Sequence, residues 1–338
     1  MSAATAAIVT PVTPQRISQF AWGYAAPLIL EAAIRNQVFD ALDSGPMTIE
    51  EVHAATGASI RGLTAIMNAL CGLELLARDD RHHFSLTPES AAFLVRNKPS
   101  FMGGLILHTS EQLIPKWLEL NEIVRTGRPA AAVNQEGPGA EFFEQFVSDI
   151  FPLSYPSAQA LAATLHLDQG HVLDLATGSG VWGIALAQSS PRVHVTAVDW
   201  PNVLPVTEKT AARFGVEDRF TFVPGDLLSV DFGSDYDVAT LGHILHSEGE
   251  RRGRELLAKT REALAPGGTI AIAEFLVDED HRGPVTGLFF AVNMLVNTDE
   301  GSTWSFEEIG DWLEDAGFTN PHTLEVPGPS PLILATKP

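Results

Sequence analysis

Three stretches of the chain combine glycines and acids at spacings suited to holding a small ligand. The first reads Asp174-Leu-Ala-Thr-Gly178-Ser-Gly180-Val-Trp-Gly183. It lies where an apolar, β-branched run gives way to a helical pattern, and glycines at such a turn let the main chain approach a ligand at a helix N-terminus. The second is Asp199, 19 residues beyond Gly180 at the end of the next apolar run, where a carboxylate suits a ribose diol. The third is Asp226 in Pro-Gly-Asp-Leu, where a carboxylate oxygen can accept a hydrogen bond from an adenine amino group.

The glycine spacing alone satisfies the dinucleotide fingerprint and does not separate NAD from S-adenosylmethionine. Asp174, four residues before Gly178, would repel a pyrophosphate but suits a ligand with a cationic aminoacyl end. Asp226 and the turn Leu264-Ala-Pro-Gly-Gly268 point the same way. His243 and His246 lie close to a strand end with no third ligand at useful spacing, so no metal is expected. His82 and His83 fall in a polar turn and are assigned no role.

These residues must be positioned by alternating elements. HVLDLA, HVTAVD, FTFVPG, YDVATL and TIAIAEF are short strand-like runs, with helical segments between the first four, which implies a parallel sheet and an α/β doubly wound domain. TLEV and LILATK are separated only by PGPSP, too short for a crossover helix, so the last strand should return antiparallel.

The N-terminal part reads differently. Apolar residues recur at helical spacing from Arg16 to Leu42, interrupted at Pro27. Thr48 and Glu51 have the form of a capping box, opening a helix that ends near Gly57. Ser59 caps a second helix running through Leu76, and LLARDDRHHFSLT reads as a hairpin. Helix, turn, helix, hairpin is a winged-helix pattern. Its second helix carries only Arg61 as a basic residue, beside Leu63, Ile66, Met67, Leu70, Leu73 and Leu75, a surface for packing against protein rather than for DNA. Residues 91–125 are helical in pattern, 126–140 loop-like, and a helix bearing Phe142, Phe143, Phe146 and Ile150 leads to a boundary near Tyr155 and Pro156. The expected division is residues 16–100, 101–155 and 156–338.

Composition sets the limits. With 338 residues, 45% hydrophobic and 19% charged, the chain is globular and long enough for two domains. A net charge of −21 disfavours nucleic acid and anionic membranes as partners. The lone Cys71 excludes an internal disulfide, and no signal-like or membrane-spanning run is visible, so a cytoplasmic protein with a loosely held N-terminus is expected.

Residues 171–338 resemble the class I methyltransferase domain, a Rossmann-like seven-stranded sheet with the last strand antiparallel. From about residue 16 the whole chain is similar to the plant-type and bacterial small-molecule O-methyltransferases, with their N-terminal, mostly helical winged-helix dimerisation domain. The resemblance implies a homodimer that binds S-adenosylmethionine through Gly178, Gly180, Asp199 and Asp226, with Trp200 and Leu227 beside the adenine. The family's His-Asp-Trp run corresponds to His246-Ser247-Glu248, which puts the catalytic base on His246. Of the two acids that assist it in plant members, one maps onto Glu274 and the other onto Thr303, which has no carboxylate. The expected activity is methyl transfer to a hydroxyl of a small aromatic or polyketide-like molecule. The altered run also admits C- or N-methylation or non-methyl chemistry on the same cofactor site, and an NAD-dependent oxidoreductase is the reading from another class. Phe20, His108, Phe142, Phe146, Phe289, Asn293 and Met294 are the candidates to line the acceptor pocket.

Overall fold

The computed structural model describes residues 12–328 and 330–338; residues 1–11, part of the stretch expected to be loosely held, lie outside the described residues. The chain divides into two compact units, residues 1–110 and 111–338.

In the first unit, α1 (Gln15–Ala21) and α2 (Ala25–Arg35) are separated at Trp22–Tyr24, ahead of the break expected at Pro27. Pro27 sits instead in the first turn of α2, where its missing N–H has no intrahelical partner to lose. After α3 (Val38–Leu42), Thr48 opens α4 (Ile49–Thr56) with both bonds of the capping box, Thr48 N–H to Glu51 Oε2 at 2.7 Å and Glu51 N–H to Thr48 Oγ1 at 3.3 Å. Ser59 caps α5 (Ile60–Gly72) by accepting from the Gly62 N–H at 3.1 Å. That helix stops short of Leu76, because Leu76 opens β1 (Leu76–Arg78) and pairs with Leu86 of β2 (Phe84–Leu86) across the antiparallel wing. Phe39, Leu63, Met67, Leu70 and Phe84 form its buried centre. The short helices α6 (Pro88–Phe93) and α7 (Gly103–His108) complete the unit.

The second unit opens with α8 (Ile114–Trp117), α9 (Leu120–Thr126) and the 30-residue α10 (Glu136–Leu165). α10 starts inside the expected loop and runs through Pro152 and Pro156, so the position near Tyr155 where a boundary was expected is helical. Burial explains why the helix survives two prolines: Phe151, Ala158 and Leu161 pack into the core around the sheet. There follow β3 (Gly170–Leu175), α11 (Val181–Ser189), β4 (Val193–Asp199), α12 (Leu204–Arg213), β5 (Phe220–Pro224), β6 (Tyr236–Gly242), α13 (Leu245–Ala263) and β7 (Leu264–Ala273). The chain ends with α14 (Val285–Asn297), α15 (Phe306–Asp315), β8 (Thr319–Leu324) and β9 (Leu332–Thr336).

The seven strands lie in the order β5-β4-β3-β6-β7-β9-β8. Pairing is parallel from β5 to β7, and β9 runs antiparallel to both neighbours, as the short β8–β9 connection requires. Chain direction therefore brings the C-terminal ends of β3 to β7 to one edge of the sheet, with the order reversing between β3 and β6, where ligands of such sheets bind.

Candidate active site

The glycine turn leaves β3 and enters α11. Gly178 and Gly180 have φ of +54° and +79°, and a Cβ on Gly180 would approach Thr207 Cγ2 to 2.9 Å, so this turn admits glycine alone without rearrangement. Asp174 anchors it from beneath. Its carboxylate accepts from Thr177 Oγ1 and Thr240 Oγ1 at 2.7 Å each and from the Gly183 N–H at 3.1 Å. Asp174 has no exposed surface, and burial pushes its carboxyl up to about 6. The acid at the strand end turns inward, toward the hydroxyls that flank it.

Asp199 ends β4 beside the turn, half-buried, accepting from the Gly178 N–H at 2.8 Å and the Trp200 N–H at 2.7 Å. Burial raises its carboxyl to about 6 against these two bonds. Asp226 follows the next strand, where it accepts from the Leu228 N–H at 3.0 Å and from Arg252 Nη2 at 2.8 Å. Burial opposes its ionisation, but the Arg252 guanidinium outweighs that and holds the carboxyl below its ordinary value. Arg252 also donates to the buried Glu248 at 2.5 Å, which ties the helix that carries His246 to Asp226 beyond β5. Leu227 is buried in the core around the sheet, whereas Trp200 is half-buried with its ring 6.2 Å from Phe143.

His246 lies in the first turn of α13. Gly249, at φ +75° and ψ 172°, breaks that turn from the rest of the helix, and a Cβ there would meet Glu300 O at 2.7 Å. The Ser302 N–H donates to the His246 carbonyl at 2.9 Å, pinning the turn. Glu274, immediately after β7, holds the histidine twice: His246 Nδ1 is 2.7 Å from Oε2, and the His246 main-chain N–H donates to Oε1 at 3.2 Å. Both side chains are buried. Burial alone would raise the Glu274 carboxyl, yet the adjoining His246 keeps it below its ordinary value. Phe290 presents its ring at 87° to the imidazole, 4.9 Å between centroids. Thr303 is buried and donates to the Gly287 carbonyl at 3.3 Å.

The sequence offered no third metal ligand beside the two histidines, and the structure brings Glu274 to them: the possible ligand atoms of His243, His246 and Glu274 lie within 4.8 Å of one another. The 2.7 Å bond commits Glu274 to His246, the arrangement of a base and the acid that orients it. Beside them is a small pocket of about 20 Å³ lined by Leu153, Ser154, Ser157, Trp182, His243, Ala273, Glu274, Phe275, Ser330 and Leu332. Of these only His243 and Glu274 were singled out from the sequence; Ser154 and Ser157 flank the expected boundary, Ser330 lies in the PGPSP connection, Trp182 and Phe275 sit inside the quoted runs with no role assigned, and Arg252 likewise carried no signal.

The expected acceptor-lining residues divide. Phe142 and Phe146 lie together on α10, ring centroids 5.9 Å apart, with Lys116 Nζ 4.6 Å from the Phe142 ring. Asn293, half-buried, accepts from Trp117 Nε1 at 3.0 Å, and Met294 is buried. Phe289 is 64% exposed. Phe20, also 64% exposed, and the buried His108 belong to the first unit.

Two family patterns match the chain: the O-methyltransferase dimerisation domain over residues 18–96 and the O-methyltransferase domain over residues 117–319. The chain is 31% identical to a 3-hydroxy-5-methyl-1-naphthoate 3-O-methyltransferase of Streptomyces sahachiroi, the match covering 94% of this chain and 92% of the relative. It is 29% identical to the tetracenomycin polyketide synthesis 8-O-methyl transferase TcmO of Streptomyces glaucescens, over 96% and 97% of the two chains. Among solved structures it is similar to PigF with SAH, with a TM-score of 0.82, 25% identity and coverage of 97% of this chain and 100% of that one.

Proposed function

The chain belongs to the O-methyltransferase family and is an S-adenosylmethionine-dependent methyltransferase, and from that premise we propose that it methylates a hydroxyl of a small aromatic or polyketide-like acceptor, with His246 as general base. The observation that carries this reading is the buried His246–Glu274 pair at 2.7 Å.

The residues at the strand ends fit the methyl donor: a turn that tolerates only glycine, with Asp199 beside it for a ribose diol and Asp226 at the neighbouring strand for an adenine amino group. Trp200 and Leu227 flank that position in the chain. S-adenosylmethionine supplies a methyl group on a cationic sulfur, which the acceptor oxygen displaces in line as the sulfur becomes neutral. His246 takes the proton of the acceptor hydroxyl on the ring nitrogen that Glu274 does not hold, so the oxygen gains nucleophilicity as the new bond forms. Glu274, ionised and buried, fixes the ring and stabilises the imidazolium that results. Phe275 and Phe290, with ring centroids 4.0 Å apart, offer a flat apolar wall beside the base.

The wider organisation follows the same reading: residues 16–100 as a dimerisation domain, 101–155 as a helical linker bearing pocket residues, and 156–338 as the cofactor domain. Ile17, Phe20 and Trp22, between 64% and 70% exposed, support burial of the first unit against a second copy. No helix among the described residues is long and apolar enough to cross a membrane. The free Cys71 fits a reducing compartment such as the cytoplasm.

Incubating the protein with labelled S-adenosylmethionine and a series of hydroxylated naphthalenes and polyketides, then locating the label by mass spectrometry, tests the acceptor class. Label on an aromatic oxygen is expected; label confined to carbon or nitrogen, or none, would overturn it.

A further inference from the structure

His243 departs from its surroundings in three ways that His246 and Glu274 do not explain. Its main chain is left-handed at φ +61°, a conformation that glycine adopts more easily than a residue with a Cβ. The strain is locked in by the His243 N–H, which donates to the Ala273 carbonyl at 2.8 Å. Its Nδ1 is buried without a hydrogen-bond partner among the described residues, and a buried polar atom left unpaired is costly. Finally, the side chain lines the small pocket together with Glu274 and Phe275, its ring 5.0 Å from Phe275 and 6.3 Å from His246. Strain and an unmet polar atom at the wall of a pocket persist where a bound group offsets them.

We propose that His243 hydrogen-bonds a second oxygen of the acceptor, on a ring carbon adjacent or peri to the hydroxyl that is methylated, and so selects aromatic rings with neighbouring oxygens. This rests on the proposed role of His246 in the same site. One polar side-chain atom from each of His243, His246 and Glu274 lies within 4.8 Å of the other two, which puts the two imidazoles close enough for oxygens on neighbouring carbons to meet both. Oxygens on opposite edges of a fused ring diverge and reach only one. Burial, the largest influence on His243, pushes its imidazole down to about 4, so at neutral pH the ring is uncharged, with one nitrogen to donate and one to accept. It can therefore serve a neighbouring carbonyl or hydroxyl.

The test compares 2,3- with 2,7-dihydroxynaphthalene, which carry equal numbers of hydroxyls and differ in their placement. The wild-type enzyme is expected to show a kcat/KM at least about tenfold higher for the 2,3-isomer, equivalent to about 1.4 kcal/mol, and His243→Leu is expected to bring the ratio to within about twofold. In protein labelled with ¹⁵N-histidine and saturated with S-adenosylhomocysteine, a ring nitrogen of His243 should shift with the 2,3-isomer and stay in place with the 2,7-isomer. Equal use of the two isomers, a ratio unchanged by His243→Leu, or an absent shift would overturn the proposal. So would a loss of S-adenosylhomocysteine affinity in the variant, which would put His243 on the methyl donor. The NMR arm reads binding without turnover, so it decides the matter even when neither isomer is methylated, an outcome that counts instead against the proposed acceptor class.

Discussion

One carboxylate holds His246 by two handles: Glu274 Oε2 lies 2.7 Å from the ring Nδ1, while Oε1 takes the main-chain N–H of the same residue at 3.2 Å. The ring and the turn that bears it are thus referred to a single side chain at the end of the neighbouring strand. Thr303, which has no carboxylate, is bonded elsewhere, to the Gly287 carbonyl.

Glu274→Gln keeps the size of the side chain and removes its charge. We expect turnover to fall by roughly tenfold to a hundredfold, less than for loss of the base itself, because the amide can still accept one hydrogen bond but no longer stabilises an imidazolium. Steady-state kinetics should show the loss in kcat, with KM for S-adenosylmethionine nearly unchanged.

Asp199→Ala acts on the donor. Removing the ribose contacts should weaken S-adenosylmethionine by about 1.5–3 kcal/mol, and the loss of the bonds to the Gly178 and Trp200 N–H groups should loosen the turn as well. Calorimetry reads both this loss and the expected discrimination against NAD, about a hundredfold or more in the wild type. Equal binding of the two cofactors would contradict the assignment.

The glycine turn and the strand-end acids were legible because each is set by local sequence: a residue type at a strand end, within a few positions of a glycine. The inward turn of Asp174 was not, since which way a strand-end acid turns depends here on Thr240, 66 residues away. The pairing of His246 with Glu274 spans 28 residues, across α13 and β7, and only the resemblance to a known family pointed to it. α10 was misread at both ends because Gly137, Gly139, Pro152 and Pro156 are poor helix formers, and core burial overrides them. Ser154, Ser157 and Ser330 of the pocket were illegible for a simpler reason: a serine carries no periodic or motif signal of its own.

His243 should leave a mark on stability. Its folded value of about 4 lies below its ordinary 6.5 because burial disfavours the charged ring, against the pull of Glu274 and with the repulsion of His246. Below pH 6.5 the unfolded chain therefore takes up a proton that the folded one refuses until about pH 4, so stability falls as the pH falls through that window, by at most about 1.4 kcal/mol per pH unit. In His243→Leu this component vanishes. The unfolding free energy of wild type minus that of the variant, measured by denaturant titration, should fall from pH 6.5 to pH 4; a constant value would show that the ring is not buried neutral.

The exposed Ile17, Phe20 and Trp22 of the first unit should be covered by a second copy. Light scattering at micromolar concentration is expected to give twice the mass of the 36.3 kDa chain. A monomer there would remove the dimer while leaving the cofactor site untouched.

The base is tested most directly by His246→Gln, assayed with acceptors of differing acidity. The account predicts an unchanged affinity for S-adenosylmethionine, a fall in turnover of about 10²–10⁴, and a smaller fall for more acidic phenols, which need less help in losing the proton. Full turnover in the variant across the whole range of acceptor pKa would contradict it.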